Sequence, residues 1–316
     1  DYPAEPTPLY FDNLFRHFYQ GGRVQCVEVG AFIGDYEYVD INSAYPYAMT
    51  FKHWQGSSYR EVLKLPESDN GSFFVCMDAV SYGCLPFRDI KAKKTYYPDD
   101  ETVRTYCTSG WEVIAGLKTN TLNIKKIRGI YLPTFKCDFT EYVNKFFALK
   151  KKAEEEGDNT LREFAKLMLN SCYGKFGQDG RKFEKYIITE YGDVPPKYTD
   201  KDGVEHHWNA YSDAIDMMSI FKRPDPVERF YNVATAASIT GFVRAYWWQN
   251  ACASEGVIYG DTDSMLCKKF GGRIGDKLGE WKLEANVKEA YVAQRKMYAM
   301  LTDNKDPKKM YKVASK

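Results

Sequence analysis

The sequence lacks an excess of charge of one sign, a metal-binding cysteine pattern and a long hydrophobic run. Lys and Arg number 44 against 43 Asp and Glu, a formal charge of +1 over 316 residues. No global positive field advertises nucleic acid, and no acidic tail advertises a basic partner. The eight cysteines, at 26, 76, 84, 107, 137, 172, 252 and 267, form no CxxC and no Cys/His cluster. That argues against structural zinc and a disulfide framework, and scattered reduced thiols of a cytosolic chain are expected instead. The longest apolar-leaning stretch free of Lys and Arg, Phe230 to Val243, is too short to span a bilayer, so no membrane partner is expected. No signal peptide is expected, because Asp1, Glu5 and Asp12 stand where a basic and then apolar region is needed.

What is present fits a globular protein: 44% hydrophobic and 28% charged residues, over a length suited to two domains or one large body with subdomains. The unusual number is the aromatic share of 16%, half of it Tyr, 25 against 19 Phe and 6 Trp. Tyr buries a ring and keeps a polar tip, which suits surfaces that stack on a partner.

The N-terminal DYPAEPTP reads as an extended entry. From Cys26, VEVGAFIGDYEYVDI reads as two strands broken by Gly34, with Tyr36, Tyr38 and Asp40 on one face, ending in the turn NSAYP. Residues 55–135 alternate strand signals, among them SFFVCMDAV, TYCTSGWEVI and IRGIYLPTF, with polar turns and basic patches at 91–94 and 125–126. A small β-rich insertion is expected there. Helical periodicity follows. Asp138 and Glu141 form a capping-box pattern ahead of a stripe of Tyr142, Phe146, Leu149 and Ala153. Thr160 and Glu163 form another ahead of Leu161, Phe164, Met168 and Cys172, the second helix closing at Gly174. The pair is expected to be an αα-hairpin. Residues 178–228 revert to strand and loop signals, and a helical run from about Tyr231 to Cys252 leads into the strand–turn–strand GVIYGDTDSMLC.

That hairpin is the most informative feature. Asp261 and Asp263 place two carboxylates in one turn between apolar strands, and buried paired carboxylates need a neutralising cation. Hard oxygen ligands suit Mg²⁺ or Mn²⁺, and two such ions roughly 3.5 to 4 Å apart serve in-line phosphoryl displacement. An Asx-turn that satisfies only its own backbone is the plain alternative. Asp40, at the end of YEYVDI, is the candidate third carboxylate; capping a helix that begins near Pro46 is its alternative. Tyr45 stands where a ring would pack under a bound sugar. Arg162, Lys166, Asn170 and Tyr173, spaced by four, four and three, form one polar helical stripe able to hold triphosphate oxygens and the face of a base pair. An ordinary solvated face is the alternative.

Taken together and in this order, DINSAYP at 40–46, KLMLNSCYGKFG at 166–177 and YGDTDS at 259–264 resemble the three polymerase motifs of family B DNA polymerases. FYQGGR at 18–23 resembles the YxGG template-binding motif of the protein-primed branch found in phages, linear plasmids and mobile elements, and RKMY at 295–298 resembles its KxY motif. ITGFVR at 239–244 is similar to a primer-strand motif ending in Gly-Arg or Ala-Arg, with Val243 departing from that pattern. The resemblance implies an α+β fold: a palm of antiparallel sheet with helices on one face, an αα-hairpin of fingers, and two β-rich insertions. It divides the chain into a palm part at 1–54, a first insertion at 55–135 that touches a priming protein and DNA, and fingers at 136–177. A second, strand-displacing insertion at 178–228 and a further palm part at 229–316 complete the division.

The resemblance further implies a template-directed DNA polymerase core. A primer or protein hydroxyl would attack a dNTP between two Mg²⁺ ions, with Mn²⁺ able to substitute, and pyrophosphate would leave. Asp40 and Asp263 would ligate both metals, with the Ile41 carbonyl completing the set and Asp261 supporting. Lys166 would hold the triphosphate with Arg162 on the same stripe, Tyr173 would line the nascent base pair with Asn170 behind it, and Tyr45 would crowd out a ribose 2′-hydroxyl. Tyr19, Gly21 and Gly22 would lie along the template, Thr240 and Arg244 along the primer strand, and Lys296 and Tyr298 would grip the primer terminus. The implied partners are DNA template and primer, dNTPs, a terminal priming protein and a second polypeptide supplying further regions. The implied location is cytoplasmic, the host cytoplasm for a viral or plasmid-encoded chain. An editing exonuclease would precede YxGG and a thumb would follow KxY, and neither is expected within these 316 residues. Two rivals stand: a nucleic-acid-binding fragment that needs a partner chain for activity, and a two-metal nuclease resting on the carboxylates alone, which leaves the Arg162 to Tyr173 stripe without a use.

Overall fold

The computed structural model describes residues 7–89, 91–92, 94–200, 202–215, 218–225, 231–306 and 310–315, the side chains of 212–215 excepted. Most of the extended entry at 1–8 and Lys93 of the first basic patch lie outside the described residues. The chain forms two compact units, one made of residues 8–177 and 232–316 and one built on 178–231.

An antiparallel sheet of seven strands organises the larger unit. Its spatial order is Val24–Cys26, Glu255–Asp261, Ser264–Lys269, Gly30–Ile41, Trp281–Gln294, Met297–Thr302 and Tyr311–Ala314. Gly30–Ile41 is one strand of 12 residues and not two. Gly34 takes φ +142°, a conformation glycine reaches without strain, and the ladder with Trp281–Gln294 absorbs the irregularity between Val287 and Glu289.

The described residues contain six α-helices: α1 (Leu9–Phe15), α2 (Ala44–Met49), α3 (Gly110–Lys118), α4 (Thr140–Glu156), α5 (Asn159–Phe176) and α6 (Val233–Ala253). The sequence of α6 is apolar all round, and the helix is accordingly buried on nearly every side. Its Ile239, Phe242 and Trp247 share a core with Val39, Met265 and Trp281 of the sheet. The opposite sheet face closes over Tyr38, Ile258, Leu266, Val287 and Ala290. The result is the mixed α/β architecture of antiparallel sheet and packed helices that the resemblance implied.

A second sheet, ordered His53–Val62, Leu122–Cys137, Phe74–Ser81, Arg104–Ser109, fills most of the expected β-rich stretch. Here TYCTSGWEVI is not one strand. The strand stops at Ser109, whose amide donates to the Glu112 carboxylate at 3.3 Å, and α3 begins at Gly110.

α4 and α5 form the expected αα-hairpin, with three local corrections. Asp138 does not cap α4; its carboxylate accepts from the Thr140 amide just ahead of the helix. The α5 cap is Asp158, which accepts from the Leu161 amide at 2.9 Å, and not Thr160. The helix runs past Gly174 to Phe176, and its buried stripe is Ala165 and Leu169, while Phe164 is exposed.

The smaller unit has a three-stranded antiparallel sheet ordered Asn209–Ile215, Met218–Pro224, Glu184–Glu190, and a short hairpin of Tyr198–Thr199 with Glu205–His206. Within it the Arg223 guanidinium stacks on the Tyr198 ring, 4.4 Å from its centroid.

Candidate active site

Strand pairing brings two acids to one corner. Ser264 stands opposite Asp40 across the ladder, and the Ile41 amide donates to the Asp263 carbonyl at 2.8 Å. Thr262 holds the turn in the left-handed region at φ 60°, with its amide donating to the Arg23 carbonyl at 2.5 Å. Asp40 and Asp263 then line a single cavity of about 490 Å³. Burial pushes the Asp40 carboxyl up to about 7, with the charges of Asp263 and Glu284 acting in the same direction. Burial raises the Asp263 carboxyl as well, with Asp261 adding to it. Capping α2 is not the role of Asp40: the residue at that position is Ser43, in the left-handed conformation.

The donor set fits a hard divalent cation. Among the described residues no group of three or more His, Cys, Asp or Glu converges on a metal position. A bound ion would therefore draw on two carboxylates, main-chain oxygen at Ile41, which lines the same cavity, and oxygens of a substrate, the pattern that suits Mg²⁺. Asp261 stands apart. It lies 2.5 Å from Lys296 Nζ and receives the Tyr259 hydroxyl at 3.4 Å, so its charge already has a partner.

The facing wall comes from the helical hairpin. Arg162, Lys166 and Asn170 of α5 line the same cavity as the two acids, together with Tyr45. Arg162 donates to Glu154 at 3.1 Å and to Glu163 at 2.6 Å, and Lys166 lies 4.0 Å from Glu163. Such partly exposed pairs contribute little, so an anionic ligand can exchange for them. Tyr173 stacks on Tyr45 with centroids 3.8 Å apart and planes 8° from parallel, and burial, then Tyr173, raises the Tyr45 hydroxyl well above its ordinary value. Lys150 and Glu154 of α4 and Lys282 and Glu284 of the sheet also line the cavity. No motif singles these out; only the tertiary fold places them there, although Lys150 sits in a visible basic run.

The loop at 19–22 packs directly against this corner. A Cβ on Gly22 would come 2.7 Å from the Thr262 side chain and 3.0 Å from the Tyr45 hydroxyl, whereas one on Gly21 would meet nothing within 4 Å. Tyr19 lies over Gly177. Thr240 and Arg244 correct the expectation of contact along a primer strand: each is 1% exposed, so neither presents its side chain at the surface. Arg244 instead meets Glu112 of α3 in a two-pronged ion pair, Nε to Oε1 at 2.8 Å and Nη2 to Oε2 at 2.9 Å. Burial alone would raise the Glu112 carboxyl, but Arg244 and the Thr108 and Ser109 hydroxyls outweigh it and hold it below its ordinary value. Sequence reasoning missed Glu112, although Ser109 three residues before it completes a capping-box pattern that marks the start of α3. Lys296 takes φ 60° and its amide donates to the Tyr259 hydroxyl at 3.0 Å, while the Tyr298 ring lies 5.0 Å from Tyr259.

Known proteins resemble this chain in sequence and in fold. The family model described as DNA polymerase type B, organellar and viral, matches residues 8–241. The DNA-directed DNA polymerase of Enterobacteria phage PRD1 is 32% identical over 302 residues, which cover 95% of this chain and 52% of that protein. A probable DNA polymerase of Podospora anserina is 25% identical over 304 residues, 86% of this chain and 25% of that protein. Phi29 DNA polymerase complexed with primer-template DNA has a similar fold, with a TM-score of 0.67 at 19% identity over 100% of this chain and 54% of that one. Its ternary complex with incoming nucleotide gives 0.64 at 20% identity, over 98% and 53%. The chain thus spans about half the length of these phage polymerases. With the motifs in order, the sheet and helices in the matching fold and the family pattern running through most of its length, the chain belongs to the type B DNA polymerases of the organellar and viral kind.

Proposed function

We propose that the chain is the core of a template-directed DNA polymerase, transferring a nucleotidyl group from a dNTP to a primer or protein hydroxyl. One observation carries the reading: a single cavity is lined by the acid pair Asp40 and Asp263 and by the α5 cations Arg162 and Lys166. An incoming triphosphate bears negative charge along its length, so carboxylates there would accommodate it only with that charge and their own neutralised. Mg²⁺ bound there would neutralise the acids and the charge that develops on the transferring phosphate. Asp40 and Asp263 would hold it, with the Ile41 carbonyl.

Lys166 and Arg162 would exchange Glu163 and Glu154 for triphosphate oxygens. The stacked Tyr45 and Tyr173 would form the wall against sugar and base, a rigid surface because each ring occupies a face of the other. Asn170, beside them, would support the base pair. Gly22, pressed on Thr262 and Tyr45, would register a template strand along Tyr19, Gly21 and Gly22 to the acids. Lys296, by holding Asp261, would tie the primer-gripping segment with Tyr298 to the same turn. Positioning and charge neutralisation would supply most of the rate. The first insertion at 55–135 would serve DNA or a priming protein, and the second at 178–228 would separate strands.

The test is single-nucleotide addition to a primed template with Mg²⁺ and each dNTP in turn. Addition of only the complementary nucleotide is expected. Strand cleavage without dNTP would point to a nuclease, and template binding without addition would point to a fragment that needs a partner chain.

A further inference from the structure

A buried, paired arginine outside the lining of the acid cavity ends on the 19–22 loop. Arg244 Nη1 donates to the Gln20 carbonyl and to the Gly21 carbonyl, each at 2.7 Å, while Nε and Nη2 donate to Glu112. Glu112 is itself fixed from its own strand and helix: the Thr108 hydroxyl donates to it at 2.7 Å and the Ser109 hydroxyl at 2.9 Å. α3 comes this near to α6 only because position 241 is glycine; a Cβ there would collide with the Ser109 side chain and reach within 3.3 Å of Glu112 Oε2. On the other flank of the loop, Arg88 Nη2 donates to the Tyr19 carbonyl at 2.9 Å and to Gln20 Oε1 at 3.0 Å.

The geometry serves more than core stability. A guanidinium carries five donors in a fixed fork. A carboxylate that grips one edge of the fork at two points fixes the direction of the remaining donors. Glu112 therefore decides where Arg244 Nη1 points, and Nη1 decides where two successive loop carbonyls point. Turning those carbonyls inward sets the course of the main chain at Gly21 and Gly22, the segment packed on Thr262 next to Asp263.

We infer that Glu112 is a positioning residue: through Arg244 it braces the 19–22 loop in the conformation that receives the template strand. The inference rests on the polymerase reading for the identity of the strand, but the brace itself is a property of the chain. It makes the α3 segment of the first insertion part of the template register.

The experiment compares the wild-type chain with Glu112→Gln by amide hydrogen exchange at residues 19–23 and by the Kd for a fluorescent primer-template duplex. In Glu112→Gln the charge that grips the fork is lost. Exchange at 19–23 is expected to rise by about tenfold, the size of one lost charge-assisted hydrogen bond, while exchange in the strand pair at 285–292 stays unchanged. The duplex Kd is expected to rise by about the same factor, and the KM for dNTP to change less than about twofold, because the triphosphate wall is untouched. Should the single variant fail to fold, Glu112→Gln with Arg244→Met leaves no unpaired buried charge and loses the same carbonyl clamp, so the same split is expected from it. Unchanged exchange at 19–23 in a folded variant overturns the brace. Raised exchange with wild-type duplex affinity overturns its role in template binding. A wild-type chain that binds no duplex counts against the polymerase reading alone, and the exchange result still decides the brace.

Discussion

Two groupings of charged side chains in the larger unit are built in opposite ways. At Arg244 and Glu112 a cation meets an acid along a matched edge, with hydroxyls and carbonyls taking the remaining bonds, and both side chains are 1% exposed. At Asp40 and Asp263 two acids face one cavity, and burial together with each other's charge pushes Asp40 up to about 7. The first arrangement needs nothing further, and its chemistry is used to hold other parts of the chain. The second is relieved by taking up a proton or a cation. A fold that sets two acids side by side at an open cavity, while pairing a fully buried arginine with a carboxylate, leaves the acid corner free to take a ligand.

Four measurements bear on that contrast. Asp40→Asn removes a proposed metal ligand without changing shape, and templated incorporation is expected to fall by about a thousandfold or more, read as single-turnover addition on a primed template. Activity near wild type would place the cation elsewhere. Arg244→Met strands the Glu112 charge in the core and is expected to destabilise folding by about 3 to 5 kcal/mol in urea melts. Adding Glu112→Gln should recover most of that loss, and an equal or larger loss in the double variant would mean that the pair is not a closed unit.

The third measurement uses pH. Below about 4 the Asp40 carboxyl is protonated in both the folded and the unfolded chain and has no effect on the balance. Between about 4 and 7 the unfolded chain gives up this proton while the folded chain, with its value near 7, keeps it. The group therefore weakens folding as pH rises, and its full penalty is present above 7. In metal-free buffer Asp40→Asn should gain stability over wild type across that interval, by on the order of 2 kcal/mol at pH 8, and Mg²⁺ should narrow the difference. A difference that stays flat with pH would mean that Asp40 is not strained. The smallest effect is expected at the exposed wall: Lys166→Ala should raise the KM for dNTP by about tenfold and leave duplex affinity unchanged, since one charged contact to a phosphate is lost.

The parts of this site that were legible in the sequence are those written over short distances. Alternating apolar residues around Asp261 and Asp263 announce a hairpin, and the four, four, three spacing from Arg162 to Tyr173 announces one helix face. What separates Asp263 from Asp261 is not local. Lys296, 35 residues further on, neutralises one and leaves the other to the cavity. The partner of Arg244 lies 132 residues away in a segment that reads as a strand until Ser109 turns it into α3. Arg244 itself reads as a surface contact for that reason, since an arginine next to aromatic residues gives no sign that a carboxylate waits in the core. Periodicity alone points to Phe164 on the buried face of α5, because it does not tell which of two adjacent stripes meets the neighbouring helices; Ala165 and Leu169 lie inward instead.

The most direct test pairs two readings on Asp263→Asn, a substitution that keeps the side-chain shape and removes one of the two like charges. Thermal unfolding in metal-free buffer at pH 8 and single-nucleotide incorporation with Mg²⁺ would be measured on the same preparation. The expected result is a melting temperature equal to or above wild type with incorporation lost, because the charge that burdens the fold is the charge that holds the cation. Incorporation at the wild-type rate, or a variant that loses stability and activity together, would contradict it.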